Sequence, residues 1–69
     1  MHSKLLRGTV KKINLGTGFW GIIGEDGKEY RPVNLPAAMQ KEGYQFAAPV
    51  VAAKGEMSVF MWGEAVRLV

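Results

Sequence analysis

Three groups of residues in this 69-residue chain carry chemistry worth testing. Gly16, Gly18 and Gly21 spell G-x-G-x-x-G, the pattern with which a backbone cradles a dinucleotide pyrophosphate. Phe19 and Trp20 lie among those glycines and offer ring faces on which nucleobases stack. Lys4, Arg7, Lys11 and Lys12 place four cations in the first twelve residues with no acid among them. The rest of the chain carries five basic and six acidic side chains, so the net +3 belongs to that first segment. A positive segment of this kind is an electrostatic footprint for phosphate, or charge kept for solubility.

The dinucleotide pattern needs a helix that opens at its glycines inside a βαβ unit. Here "FWGII" follows, and its aromatic and β-branched residues favour a strand. The nucleotide-cofactor reading therefore fails on context, and no cofactor is expected. Catalysis is not expected either. The one histidine is His2, and the serines are Ser3 and Ser58. Glu25, Asp26 and Glu29 cluster at a turn, where solvation explains them. Cysteine is absent, which excludes disulfides and thiolate metal sites, and no other metal-ligand spacing appears. A chain this short buries a small core and leaves little room for a substrate cleft.

These residues must be held by strands. "KLLRGTVKKIN" reads as a first strand with a bend or bulge at Gly8, and "FWGII" as a second. "GEDG" is a hairpin turn, because Asp-Gly suits left-handed turn positions. "KEYRPV" is a third strand, with Glu29, Arg31 and Val33 on one face and Tyr30 facing inward. Pro32 marks an edge or the strand's end. "NLPAAMQKEG" predicts one or two helical turns capped by Asn34, with Pro36 in the first turn and Gly43 at the end. "YQFAAPVVAAK" and "SVFMWGEAVRLV" are the fourth and fifth strands, joined by a turn at "KGEM". Five strands with a short helical insert after the third predict a single all-β domain, a five-stranded Greek-key OB-type barrel. "MHSKLLRG" is not followed by the apolar run of a signal peptide, and the longest apolar run is too short to span a bilayer. A soluble cytoplasmic protein is expected.

The order of segments resembles the cold-shock domain of bacterial type. "GTVKKIN", "TGFWGII", "DGKEYRPVNLPAAM", "KEG" and "AVRLV" follow the family's G-x-V-K-W-F-N, K-G-F-G-F-I, V-F-V-H, S-A-I or S-A-L, E-G and closing V-x-x-L. The resemblance runs from Gly8 to Val69. It implies a barrel that binds single-stranded RNA or DNA by stacking bases over strands one to three, with little sequence preference. Lys11 and Phe19 fall on family binding positions. Lys12 stands where the family has tryptophan, and Ile13 where it has phenylalanine. The V-F-V-H segment is Tyr30-Arg31-Pro32-Val33. Much of the aromatic platform is thus missing.

The expected nucleic-acid-binding residues are Lys4, Arg7, Lys11, Lys12, Phe19, Trp20 and Arg31, the last through its planar guanidinium. Arg31 also reads as an ion-pair partner of Glu29 or Glu25. Phe19 and Trp20 alternate, so one of them points outward. The alternative function is a protein-interaction or self-association module. From Phe46 to Ala53 no polar residue occurs, and Val59, Phe60, Met61 and Trp62 also fail to alternate. Two such strands would share an exposed apolar face suited to a homodimer, unless a bulge at Pro49 turns side chains inward.

Overall fold

The computed structural model describes residues 3–53 and 62–69. His2, the "KGEM" turn, and Val59, Phe60 and Met61 of the expected fifth strand lie outside the described residues. Five strands, β1 (Lys4–Ile13), β2 (Phe19–Gly24), β3 (Glu29–Pro32), β4 (Gln45–Ala52) and β5 (Glu64–Leu68), close into a barrel in the order β1-β2-β3-β5-β4. The ladders are antiparallel except β3–β5. This is the all-β five-stranded barrel expected from the turn signals.

β1 makes closure possible because it serves two neighbours. Its residues from Lys4 to Thr9 pair with β4, and those from Gly8 to Ile13 pair with β2. Gly8 sits at the changeover, opposite Phe46 in one ladder and Gly24 in the other. A Cβ on Gly8 would strike the Ile23 carbonyl and lie 2.9 Å from the Gly24 Cα. The strands approach here so closely that only hydrogen fits.

Every strand sends alternate residues inward. Leu6 and Val10, Ile22, Tyr30, Phe46 and Val50, and Val66 form one buried cluster. Burying each aliphatic or aromatic side chain contributes about 1.5–3 kcal/mol. The inward row of β1 ends in a lysine at each side. Lys4 Nζ lies 4.8 Å from the Tyr30 ring centroid, and Lys12 Nζ lies 5.1 Å from that of Trp20. Their stems extend the apolar row while their ammonium groups remain in water.

The fully apolar β4 alternates in size. Phe46 and Val50 are buried, while Ala47 and Pro49 are exposed. No bulge occurs at Pro49: the ladder runs Arg7–Ala47, Leu6–Ala48, Leu5–Pro49, Lys4–Val50 without an extra residue. The helical insert is a single 3-10 turn, Ala37–Met39, and Asn34 does not cap it. Asn34 instead accepts the Leu68 N–H (2.8 Å) and donates to the Leu68 carbonyl (3.2 Å), fastening the chain after β3 to the end of β5. Two bonds to a strand end outcompete one cap bond on a single short turn. Pro32 closes β3 against Val66, within the barrel and not at an edge.

Candidate nucleic-acid interface

Strand parity sorts the candidate residues. On β2, Trp20 packs against the core and Ile22 lies within it. Phe19, Gly21 and Ile23 therefore face outward. On β1 the outward row is Leu5, Arg7, Thr9, Lys11 and Ile13, and on β3 it includes Glu29 and Arg31, which flank the buried Tyr30. Of the alternating aromatic pair, Phe19 is the outward residue. Trp20 lies on the opposite side of the sheet beneath Lys12, so the two do not form one stacking surface.

Phe19 does have an aromatic neighbour. The Trp62 ring meets it edge to face, with centroids 5.6 Å apart and planes at 66°. Trp62 lies over Gly21: a Cβ there would run into the indole and come within 2.9 Å of Ile13 Cγ1. Gly21 thus has a steric role, leaving the hollow in which the indole rests. Gly16 and Gly18 have φ of 58° and 90° in the turn before β2, and the Gly18 N–H donates to the Leu15 carbonyl at 2.8 Å. The G-x-G-x-x-G pattern is accounted for by a turn and a packing hollow.

Around the pair stand Ile13, the register partner of Phe19, and Lys11, the register partner of Gly21. Lys11 Nζ is 3.8 Å from Glu42 Oε2, both side chains being about half exposed. Glu42 is held by the Lys12 backbone N–H, which donates to its Oε1 at 2.9 Å. An exposed pair of this kind contributes about 0–1 kcal/mol. Lys11 can exchange that carboxylate for a phosphate at small cost. Arg31 shares the outer face, and its Nε is buried without a hydrogen-bond partner among the described residues.

Lys4 belongs to a different cluster. Its ammonium donates to the Tyr30 hydroxyl at 3.3 Å, and that hydroxyl donates to Asp26 Oδ2 at 2.9 Å. Asp26 Oδ1 accepts the Lys28 N–H at 3.0 Å. The Lys28 N–H and then the Tyr30 hydroxyl hold the Asp26 carboxyl below the ordinary carboxylate range. The bond to Tyr30 raises Lys4 above the ordinary lysine value. This cluster gathers around the Tyr30 hydroxyl, the one hydroxyl in the buried core among the described residues.

The structure thus brings Arg7, Lys11, Phe19 and Arg31 to the outer face and sets Lys4, Lys12 and Trp20 on the inward rows. Trp62 is an aromatic outer-face residue that was not among the expected site residues. Its signal was the run "VFMW", which cannot face inward throughout, but the partner it would cover was not readable. No protein-family model matches the chain, and no curated protein or solved structure matches it. No helix among the described residues is long and apolar enough to cross a membrane.

Proposed function

We propose that this barrel binds single-stranded nucleic acid, in the manner of a cold-shock domain, on the outer face of β1 to β3. The observation that carries the reading is the edge-to-face pair of Phe19 and Trp62 beside Lys11. Trp62 replaces, from the segment before β5, part of the aromatic surface that β1 and β3 lack. Each stacked base contributes about 1–3 kcal/mol. Lys11 and Arg31 supply the attraction for phosphate, which makes binding steeply salt-dependent. Stacking accepts any base, so sequence preference is slight.

The test is a titration with oligothymidine at low salt, followed by tryptophan fluorescence. Saturable quenching that weakens with added salt and disappears in Phe19→Ala supports the reading. Absence of quenching at high oligonucleotide concentration refutes it. Trp20, packed on the core, gives a fluorescence background that stays when Trp62 is replaced.

A second reading is self-association. Leu5 is 56 % exposed and Val69 77 % exposed, and Pro49 lies opposite Leu5 in the ladder while its carbonyl accepts the Val69 N–H. These residues form an apolar strip on the outside of β1 and β4, continued by the residue that follows β5. Sedimentation at micromolar concentration decides it: a monomer removes the homodimer.

A further inference from the structure

A second feature adjoins the aromatic pair. Where β1 changes partners at Gly8, the outside of the barrel carries a shallow groove of about 490 Å³. Arg7, Thr9 and Lys11 line it from one strand, Ile23 and Glu25 from β2 and its turn, and Gln45 from β4. Lys11 and Ile23 belong both to this groove and to the outer face that holds Phe19. The groove therefore leads directly away from the aromatic pair.

We infer that the groove continues the nucleic-acid site and takes the sugar–phosphate backbone of the nucleotides beyond the stacked bases. This inference rests on the proposed binding at Phe19 and Trp62. Arg7 offers a planar fork of donors that matches phosphate oxygens. Thr9 and Gln45 add a hydroxyl and an amide, both able to bond sugar or phosphate. Phe46 is the one ring along it among the described residues, and its side chain is buried in the core, so the groove offers no ring face to a base and suits backbone better. Glu25 is its one acid among the described residues and opposes a phosphate at the far end.

Length decides which parts of the site a strand reaches. From Ile13, beside Phe19, to Arg7 is six residues of β1, or about 20 Å. A trinucleotide stacked at about 3.4 Å per base covers roughly half of that. A trimer fills the aromatic pair alone, and an octamer reaches Arg7.

The experiment titrates oligothymidine trimer and octamer against the wild-type chain, Arg7→Ala, Arg7→Lys and Glu25→Gln, each at several salt concentrations. Arg7→Ala is expected to weaken the octamer about fivefold and to lower its log–log salt slope by about one, with the trimer unchanged. Arg7→Lys should keep the slope, and Glu25→Gln should tighten the octamer alone. Equal octamer affinity and slope in wild type and Arg7→Ala overturns the groove and leaves the aromatic site standing. Equal weakening of trimer and octamer also overturns it, because Arg7 would then act at the aromatic pair. If neither oligonucleotide quenches the wild-type chain, the proposed function falls and the groove with it. Unchanged thermal unfolding of the Arg7 variants shows that a loss is not unfolding, since the side chain is exposed.

Discussion

The two faces of β2 use the same six residues, "FWGIIG", in alternation. On the inner face, Ile22 is fully buried, and Trp20 closes the core with Lys12 over its ring. On the outer face, Phe19 and Ile23 remain half-buried, and Gly21 is covered by an indole that comes from another part of the chain. Inside, each side chain meets neighbours from several strands, so a deletion leaves a void. Outside, an aromatic pair rests on the sheet with one side toward solvent. The inner face holds the barrel together. The outer face carries less of the packing, so substitutions there are expected to spare the fold.

That contrast can be broken by substitutions on each side. The largest expected effect is Phe46→Ala, which empties the core and should cost about 3–5 kcal/mol in denaturant unfolding. Phe19→Ala in the same assay should cost far less while removing oligonucleotide quenching. A comparable stability loss for both would refute the division into two faces. Gly8→Ala comes next. Its Cβ meets backbone rather than a movable side-chain end, so overpacking of about 1–3 kcal/mol is expected by thermal melt.

Gly21→Ala tests the outer hollow with the opposite emphasis. Here the obstacles are side chains rather than backbone, the far end of Trp62 and the Ile13 Cγ1. Stability should change little while affinity for oligothymidine drops about tenfold, equivalent to about 1.4 kcal/mol of a stacking contribution. Unchanged affinity would remove Trp62 from the site. Tyr30→Phe should cost about 0.5–1.5 kcal/mol, read in denaturant, because two exposed partners lose a hydroxyl. It should also alter the acid limb of stability. A carboxyl held below its ordinary value stabilises the fold above that value, about pH 4, and the stabilisation is lost as pH falls through the lowered one. In Tyr30→Phe the acid-dependent loss becomes smaller but persists, because the Lys28 N–H still holds Asp26. The smallest effect is Glu42→Gln. Freeing Lys11 from its carboxylate should tighten oligonucleotide binding by about 0.2–1 kcal/mol at low salt, without altering the bond to the Lys12 N–H.

What was legible in the chain was local. Asp-Gly placed the hairpin, and the flanking Glu29 and Arg31 sent Tyr30 inward; Gly8 read only as a bend or bulge, and that β1 changes neighbours there came from the two ladders. The hairpin and the inward Tyr30 follow from backbone geometry and from the two-residue period of a strand, which act over a few residues. The alternation also required that Phe19 and Trp20 face opposite ways, but alternation has no sign of its own. Which of them faced out depended on the register against β1, where Trp20 pairs with Lys12 and Phe19 with Ile13. Asn34 was legible as a capping residue, yet its bonds go to Leu68, thirty-four positions away. Trp62 is the clearest case: its partners Phe19 and Gly21 lie more than forty positions earlier, and only barrel closure brings them together. Local propensity therefore determined the strands, the turns and which residue types were available. The tertiary structure decided which rings share a face, because that depends on long-range register and on a hollow that one glycine leaves open.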